Sequence, residues 1–198
     1  MADAAPAPPL LLASRSPQRR AILEQLGLPF EVVAPRYEEE PVEGIDAAEL
    51  VRVHARAKAR SVAQGSGDRP VLGVDTEVVL DGRIYGKPGD ATEAEGMLEQ
   101  LGGKTHLVLS GLCVVTPAWE AVEHESTRVT FRPLTARDLA TYVATREWEG
   151  RAGAYAIQGR GAALVERIAG DYLNVVGLPA SLLVRLLAER FPGTYGFG

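Results

Sequence analysis

The sequence predicts a single α/β domain in which a mixed sheet is flanked by helices. Its 198 residues are enough to bury a substantial core in one domain. Its composition, 46% hydrophobic and 24% charged, is typical of a globular protein. Short apolar runs bounded by turn residues alternate along the chain with segments of helical period, which favours a layered α/β arrangement.

The elements follow from apolar runs and capping residues. Residues 1–9, "MADAAPAPP", are predicted to be a disordered tail, and residues 10–198 the domain. Strands are predicted at residues 10–13, 30–34, 70–80, 106–116 and 126–134. Helices are predicted at residues 17–26, 47–63, 91–101, 136–145 and 180–190. Residues 152–179 are expected to form further short strands or turns.

Turn and cap residues fix several of these boundaries. Ser16 is a good N-cap, Pro17 suits the first helical position, and Gly27 ends the helix. Asp81-Gly82 is a strong hairpin signal after the third strand. Capping boxes are predicted at the starts of the third and fourth helices, formed by Asp90 with Glu93 and Thr135 with Asp138.

Charge and cysteine content narrow the possible partners. A net charge of −5 argues against duplex nucleic acid, which usually requires a basic surface. No apolar run reaches the length of a membrane span, and the N-terminus lacks the pattern of a signal peptide. The single cysteine, Cys113, cannot form an internal disulfide and is expected to be a buried hydrophobic residue. We therefore expect a protein of the reducing cytoplasm.

The first strand–helix turn places Arg19 and Arg20 where the helix N-terminus already carries partial positive charge. A bound anion would make this arrangement favourable, because the free N–H groups, Ser14, Ser16 and Arg19 would converge on it. The turn is therefore a candidate phosphate site. The alternative is that both arginines point outward and pair with surface carboxylates.

The third strand carries a second candidate group. In an extended strand Asp75 and Glu77 lie on the same face, and Gly73 would leave room there for a ligand to approach. Two neighbouring carboxylates suit a hard divalent cation or an activated water. A solvated strand face is the alternative.

Other candidates are weaker when taken singly. Lys87 lies in a stiff "YGKPGD" turn and Lys58 on a basic helix face, and both also fit a solvated surface. The loop with Glu38, Glu39 and Glu40 is expected to be solvated, with metal binding as the alternative. Gln158 has an amide able to pair with a nucleobase edge or with backbone. The histidines show neither metal-ligand spacing nor a Ser-His-Asp arrangement.

Four stretches together resemble the Maf family of nucleoside triphosphate pyrophosphatases, in the family's order. They are "LLLASRSPQRR", "VLGVDTEVVLDGRIYGKP", "MLEQLGGKTHLVLSG" and "GRAGAYAIQGRGAALVERIAGDYLNVVGLP". The resemblance implies a Maf/ITPase-like fold with two lobes around a central cleft. It also implies hydrolysis of a nucleoside triphosphate between the α and β phosphates, a divalent cation (Mg²⁺ or Mn²⁺) and a homodimer.

The resemblance assigns roles to individual residues. Asp75 matches the catalytic proton acceptor. From the residues themselves, and not from the resemblance, a divalent cation is expected at Asp75 with Glu38 and Glu77. The phosphate-binding positions are Ser14, Arg19, Lys58 and Lys87. The positions associated with substrate choice are Gln18, Thr76 and Gln158.

Three positions depart from the family's pattern, and one of them, Gln18, bears on substrate choice. Gln18 stands where the pyrimidine-selective subgroup has Arg, Glu77 where an aliphatic residue is usual, and Arg151 where Lys is usual. Thr76, with His106 and Gln158, nevertheless resembles the dTTP/UTP subgroup rather than the 7-methyl-GTP subgroup.

Two alternatives to a dTTP/UTP enzyme follow from the family and its neighbours. One is a nucleotide-sensing regulator of septum formation with little turnover, and the other is an inosine-type purine triphosphate pyrophosphatase. A carboxylate at Asp75 favours catalysis over sensing, and "AIQG" around Gln158 favours the Maf subgroup.

Overall fold

A computed structural model describes residues 7–39 and 44–197 of the chain. The strands are β1 Leu10–Ala13, β2 Phe30–Val33, β3 Val71–Leu80, β4 Arg83–Tyr85, β5 Thr105–Val115, β6 Glu120–Phe131 and β7 Val165–Ala169. The α-helices are α1 Pro17–Gln25, α2 Ala47–Ala63, α3 Ala91–Leu101, α4 Ala136–Val143, α5 Tyr172–Val176 and α6 Ala180–Arg190. Two 3₁₀ turns cover Ala152–Ala154 and Gly159–Leu164.

The strands form one seven-stranded mixed sheet in the order β2-β1-β3-β5-β6-β7, with β4 paired to β3 as a hairpin. β1 is parallel to β2 and β3, and the remaining pairs are antiparallel. The predicted α/β class with a mixed sheet and flanking helices is therefore confirmed.

Most predicted boundaries agree with the structure because they depend on local capping. Ser16, Asp90 and Thr135 each accept a hydrogen bond from the backbone three residues later. The box at Thr135 is complete, whereas Glu93 accepts from Gly89 N instead of Asp90 N.

Two stretches differ from the prediction. β6 starts at Glu120 rather than near residue 126, because its polar first half pairs with β5 along the full length of that strand. Residues 172–176 form helix α5 rather than a strand or turn, because Asp171 accepts hydrogen bonds from the Leu173 and Asn174 N–H groups and caps them.

Helix α2 lies on one face of the sheet and approaches it very closely at two glycines. A Cβ placed at Gly73 would lie 2.2 Å from the Ala55 carbonyl oxygen, and one at Gly111 would lie 2.0 Å from that of Val51. The expectation that Gly73 makes room for a ligand is therefore wrong. The missing side chain makes room for the backbone of α2.

The other face carries two hydrophobic clusters. Leu72 and Val74 of β3 pack with α1 and α6, whereas Val78 and Leu80 pack with α3 and α4. Thr76 lies between these two pairs on the same strand face. The gap between the clusters opens into the cavity described below, which agrees with two lobes around a central cleft.

The ends of the described chain bear on the tail prediction. Residues 1–6 lie outside the described residues, while Ala7 packs beside the α1–α6 cluster and the Pro8 carbonyl accepts a hydrogen bond from Tyr195 Oη at 2.8 Å. Within residues 7–39 and 44–197, no helix is long and apolar enough to cross a bilayer.

Candidate active site

One cavity of about 550 Å³ collects most of the residues that the sequence singled out. It opens where β1 meets α1, beside the middle of β3. The predicted site residues that line it are Ser14, Gln18, Arg19, Lys58, Asp75, Thr76, Lys87 and Gln158. Glu38 is exposed, and neither it nor Glu77 lines the cavity.

Arg19 points inward from the first turn of α1. Its guanidinium donates to Gly177 O at 2.9 Å, to Ser14 Oγ at 3.2 Å and to Thr76 Oγ1 at 3.1 Å. All three acceptors are neutral, and burial lowers the pKa of Arg19. Arg20 instead faces solvent and pairs with Glu24 at 2.8 Å. Arg19 thus points into the candidate phosphate site, whereas Arg20 follows the alternative and pairs with a surface carboxylate.

Asp75 is almost completely buried, with 3% of its surface exposed. Its Oδ1 accepts a hydrogen bond from Lys58 Nζ at 2.5 Å, and its buried Oδ2 has no hydrogen-bond partner. Lys58 reaches Asp75 because Gly73 lets α2 lie directly on β3. The close packing of this helix therefore creates the buried ion pair.

Glu39 is a site residue that the sequence reasoning did not single out. Its carboxylate contacts the Lys58 ammonium group and lies 3.5 Å from Lys87 Nζ. Partial burial raises the pKa of Glu39, but the hydrogen bond and charge of Lys58, with the charges of Lys87 and His54, lower it to about 2. Glu39, not Glu38, is thus the residue of the acidic loop that reaches the site. Glu40 lies outside the described residues.

Glu77 shares a strand face with Asp75, as predicted. Burial, together with the negative charges of Asp75 and Glu39, raises its pKa to about 7. Its Oε2 is buried without a hydrogen-bond partner. The predicted trio of Asp75, Glu38 and Glu77 does not assemble, since no three His, Cys, Asp or Glu side chains within the described ranges are placed to hold a metal ion.

The residues associated with substrate choice line the same cavity from separate elements. Thr76 hydrogen-bonds Ser110 at 2.9 Å, and Gln18 Oε1 accepts from Ser16 Oγ at 3.2 Å. Gln158 is exposed at the start of a loop held by Glu147, whose carboxylate accepts from Arg160 N at 3.0 Å and 3.1 Å and from Gly161 N at 3.2 Å.

Fold and site together define an α/β protein whose central cleft, lined with cations around a buried carboxylate, suits a polyphosphate. The family described as Maf-like protein matches residues 9–190. The chain therefore belongs to the Maf family.

Curated relatives are similar over nearly the whole chain. A dTTP/UTP pyrophosphatase of Symbiobacterium thermophilum is 48% identical over 91% of this chain and 93% of its own. The dTTP/UTP pyrophosphatase of Nitratidesulfovibrio vulgaris is 50% identical over 92% of this chain and 88% of its own. The dTTP/UTP pyrophosphatase of Deinococcus radiodurans is 45% identical over 97% of both chains. Among solved structures, the Ham1 protein of Staphylococcus aureus covers 62% of this chain and 71% of its own, at 15% identity and a TM-score of 0.44.

Proposed function

We propose that this protein hydrolyses nucleoside triphosphates between the α and β phosphates, releasing a nucleoside monophosphate and pyrophosphate, with dTTP and UTP as its first candidate substrates. The observation that carries the proposal is Asp75, a buried carboxylate with an unpartnered oxygen inside a cation-lined cavity. Curated relatives of 45% to 50% identity that bear the name dTTP/UTP pyrophosphatase support it.

The cations of the cavity attract the negative charge of the substrate. A triphosphate carries about four negative charges, and Arg19 on α1, Lys58 on α2 and Lys87 in the loop after β4 offset part of them, in competition with the carboxylates of Asp75 and Glu39. The N-terminus of α1 adds backbone N–H groups and its dipole. Positive charge fixed in place also stabilises the charge that develops on the phosphate oxygens in the transition state.

Asp75 is suited to act on the attacking water. Lys58 holds Oδ1 at 2.5 Å, which fixes the carboxylate and leaves Oδ2 free. In the proposed step the water oxygen forms a bond to the α-phosphorus and its proton passes to Asp75. The bond from the α-phosphorus to the bridging oxygen breaks, and its electron pair leaves with pyrophosphate.

The donor set also fits a divalent cation such as Mg²⁺ or Mn²⁺. Asp75 Oδ2 and Glu77 Oε2 are buried carboxylate oxygens without partners on one strand face. Magnesium favours one or two carboxylates plus substrate phosphates over a complete protein cage, and of these two residues only Asp75 lines the cavity. Asp75, together with the substrate phosphates, would therefore hold the cation. When bound, the cation would neutralise phosphate charge and help to orient the α-phosphate.

Base selection is assigned to Gln18, Thr76 and Gln158, which line the same cavity. The amide of Gln158 has both a donor and an acceptor for the edge of a pyrimidine. Gln18 is neutral where a charged Arg is usual in this subgroup, so we expect a broader range of bases than dTTP and UTP alone.

The test is pyrophosphate release from dTTP, UTP, CTP, GTP, ITP and 7-methyl-GTP, with Mg²⁺, with Mn²⁺ and without metal. Wild-type protein should release pyrophosphate from dTTP and UTP in a metal-dependent way. Asp75→Asn should lose at least about 100-fold in kcat while still binding nucleotide, because the amide keeps the shape but cannot take the proton. Asp81→Asn, in an exposed turn where Asn is tolerated, is the matched control and should keep full activity.

Other outcomes contradict separate parts of the proposal. Full activity in Asp75→Asn would remove Asp75 from the mechanism. Tight nucleotide binding without release would identify a sensor, and preference for ITP would identify the purine alternative.

A cytoplasmic location and a homodimeric state belong to the same proposal. The buried free thiol of Cys113 is consistent with a reducing compartment. Light scattering of the purified chain should give about twice the 21.2 kDa mass of one chain. A mass equal to one chain would contradict the dimer.

A further inference from the structure

Arg151 lies in the wall of the cavity without an ion-pair partner. It precedes the 3₁₀ turn Ala152–Ala154, and its side chain is half-buried. Its Nε is fully buried and has no hydrogen-bond partner. Among the described residues, none forms a hydrogen bond or ion pair with this guanidinium.

Such a group is costly in the free protein. Removing a cation from water without a hydrogen-bonded partner is strongly unfavourable. Burial accordingly lowers the pKa of Arg151, and Tyr142 and Glu147 offset this only in part. Arg132, by contrast, has a two-point contact with Asp138, at 2.7 Å and 3.1 Å. The unpaired guanidinium of Arg151 is therefore suited to bind an anionic ligand.

The backbone fixes Arg151 beside the segment that carries Lys87. Gly153 N donates to Gly86 O at 3.1 Å, which joins the two segments next to these cations. Gly153 has a φ of +67°, and a Cβ there would lie 2.9 Å from Val78. The turn therefore packs directly on β3, a few residues beyond Asp75, and has little freedom to move the arginine away.

We infer that Arg151 is a further phosphate-binding residue, which binds oxygens of the pyrophosphate part of the nucleotide together with Lys87. The inference rests on the proposed function. The planar guanidinium offers two parallel N–H donors to a phosphate, and the ligand's charge supplies the missing partner. Arg19 and Lys58 are then left for the phosphate next to Asp75.

Inorganic pyrophosphate is the probe, because it has no base and needs no turnover. Its affinity is measured by calorimetry in Mg²⁺ buffer for wild type, Arg151→Met, Arg151→Lys and a control, Arg128→Met. Arg128 is exposed on β6 and does not line the cavity. Arg151→Met should weaken pyrophosphate binding by about 10- to 100-fold, the range expected for losing hydrogen bonds to a charged group. Arg151→Lys should recover part of the loss, and Arg128→Met should match wild type.

Thermal unfolding without ligand separates a binding role from a structural one. Because Arg151 is desolvated and unpaired, Arg151→Met should leave Tm unchanged or raise it, while it weakens pyrophosphate binding. A variant with a lower Tm and wild-type pyrophosphate affinity would overturn the inference. So would a variant that loses UTP affinity but binds pyrophosphate normally, since Arg151 would then contact the nucleoside.

These results remain distinct from a failure of the proposed function. If wild type binds pyrophosphate but hydrolyses no triphosphate, the proposed enzymatic function fails and the phosphate contact can still be measured. If wild type is active and Arg151→Met binds pyrophosphate within twofold of it, only the inference about Arg151 fails.

Discussion

Gly73→Ala tests how the packing of one helix sets up the candidate active site. The added Cβ would lie 2.2 Å from the Ala55 carbonyl oxygen and 2.7 Å from Ala59 N, both in the backbone of α2. Restoring ordinary contact requires α2 to recede by about 1 Å, since backbone atoms cannot rotate away. Lys58 would move with the helix, and its 2.5 Å bond to Asp75 would lengthen beyond hydrogen-bonding range.

Gly73→Ala should lower both the free energy of unfolding and the turnover rate. Overpacking a well-filled contact costs about 1–3 kcal/mol, and weakening a buried ion pair adds to it. For a domain of this size, each 1 kcal/mol corresponds to a fall of about 2–4 °C in Tm. Turnover should fall by at least about tenfold, because Asp75 loses the group that orients it.

Urea unfolding and pyrophosphate release from UTP measure these two effects. Gly96→Ala is the matched control, because Gly96 lies within α3 and a Cβ there would meet no atom within 4 Å. That change should raise stability by about 0.5–1 kcal/mol through helix propensity, with activity unchanged. If Gly73→Ala unfolds within about 0.5 kcal/mol of wild type and keeps its activity, α2 does not determine the position of Lys58 as described.

Three further expectations follow from buried and loop-forming groups. Burial lowers the pKa of His106 from 6.5 to about 4, so the folded state resists protonation that the unfolded state accepts. The free energy of unfolding should therefore fall by about 3 kcal/mol between pH 6.5 and pH 4. The His106→Asn variant, unfolded across the same pH range, should lack this part of the loss. Equal pH dependence of stability in wild type and variant would contradict the expectation. Glu147→Ala should release the loop after Gln158 and bring the kcat/KM values for UTP and CTP closer together, with pyrophosphate affinity unchanged. An unaltered ratio of the two kcat/KM values would show that this loop does not influence base selection. Burial raises the pKa of the Cys113 thiol to about 12, so it should not react with iodoacetamide at pH 8 until urea unfolds the chain, and rapid labelling of native protein would contradict its burial.

Features governed by local sequence were predictable. Ser16, Asp90 and Thr135 cap helices as expected because an N-cap interacts with backbone only two or three residues away. The polar half of β6 was missed, since its edge-like alternation of Glu, His and Ser has no apolar run to mark a strand.

The site could be predicted from the sequence where the type of a residue conflicts with its local surroundings. An aspartate in an apolar strand and arginines at a helix start both indicated a buried, charged function. Which of three adjacent glutamates reaches Lys58 depends on the path of a loop, so Glu39 was not separable from Glu38. The unpaired state of Arg151 requires the surrounding structure, because an orphaned donor is defined by what is absent around it.

The hydrogen bond from Arg19 to Gly177 joins residues 158 positions apart in the chain. The cleft therefore cannot be completed while the protein is still being synthesised, until both the first turn and the α5–α6 region are present. Closing so long a loop makes this contact one of the slower events of folding. A nucleotide bound across this contact would favour only the fully assembled domain, so added substrate should suppress local opening of either end as well as global unfolding.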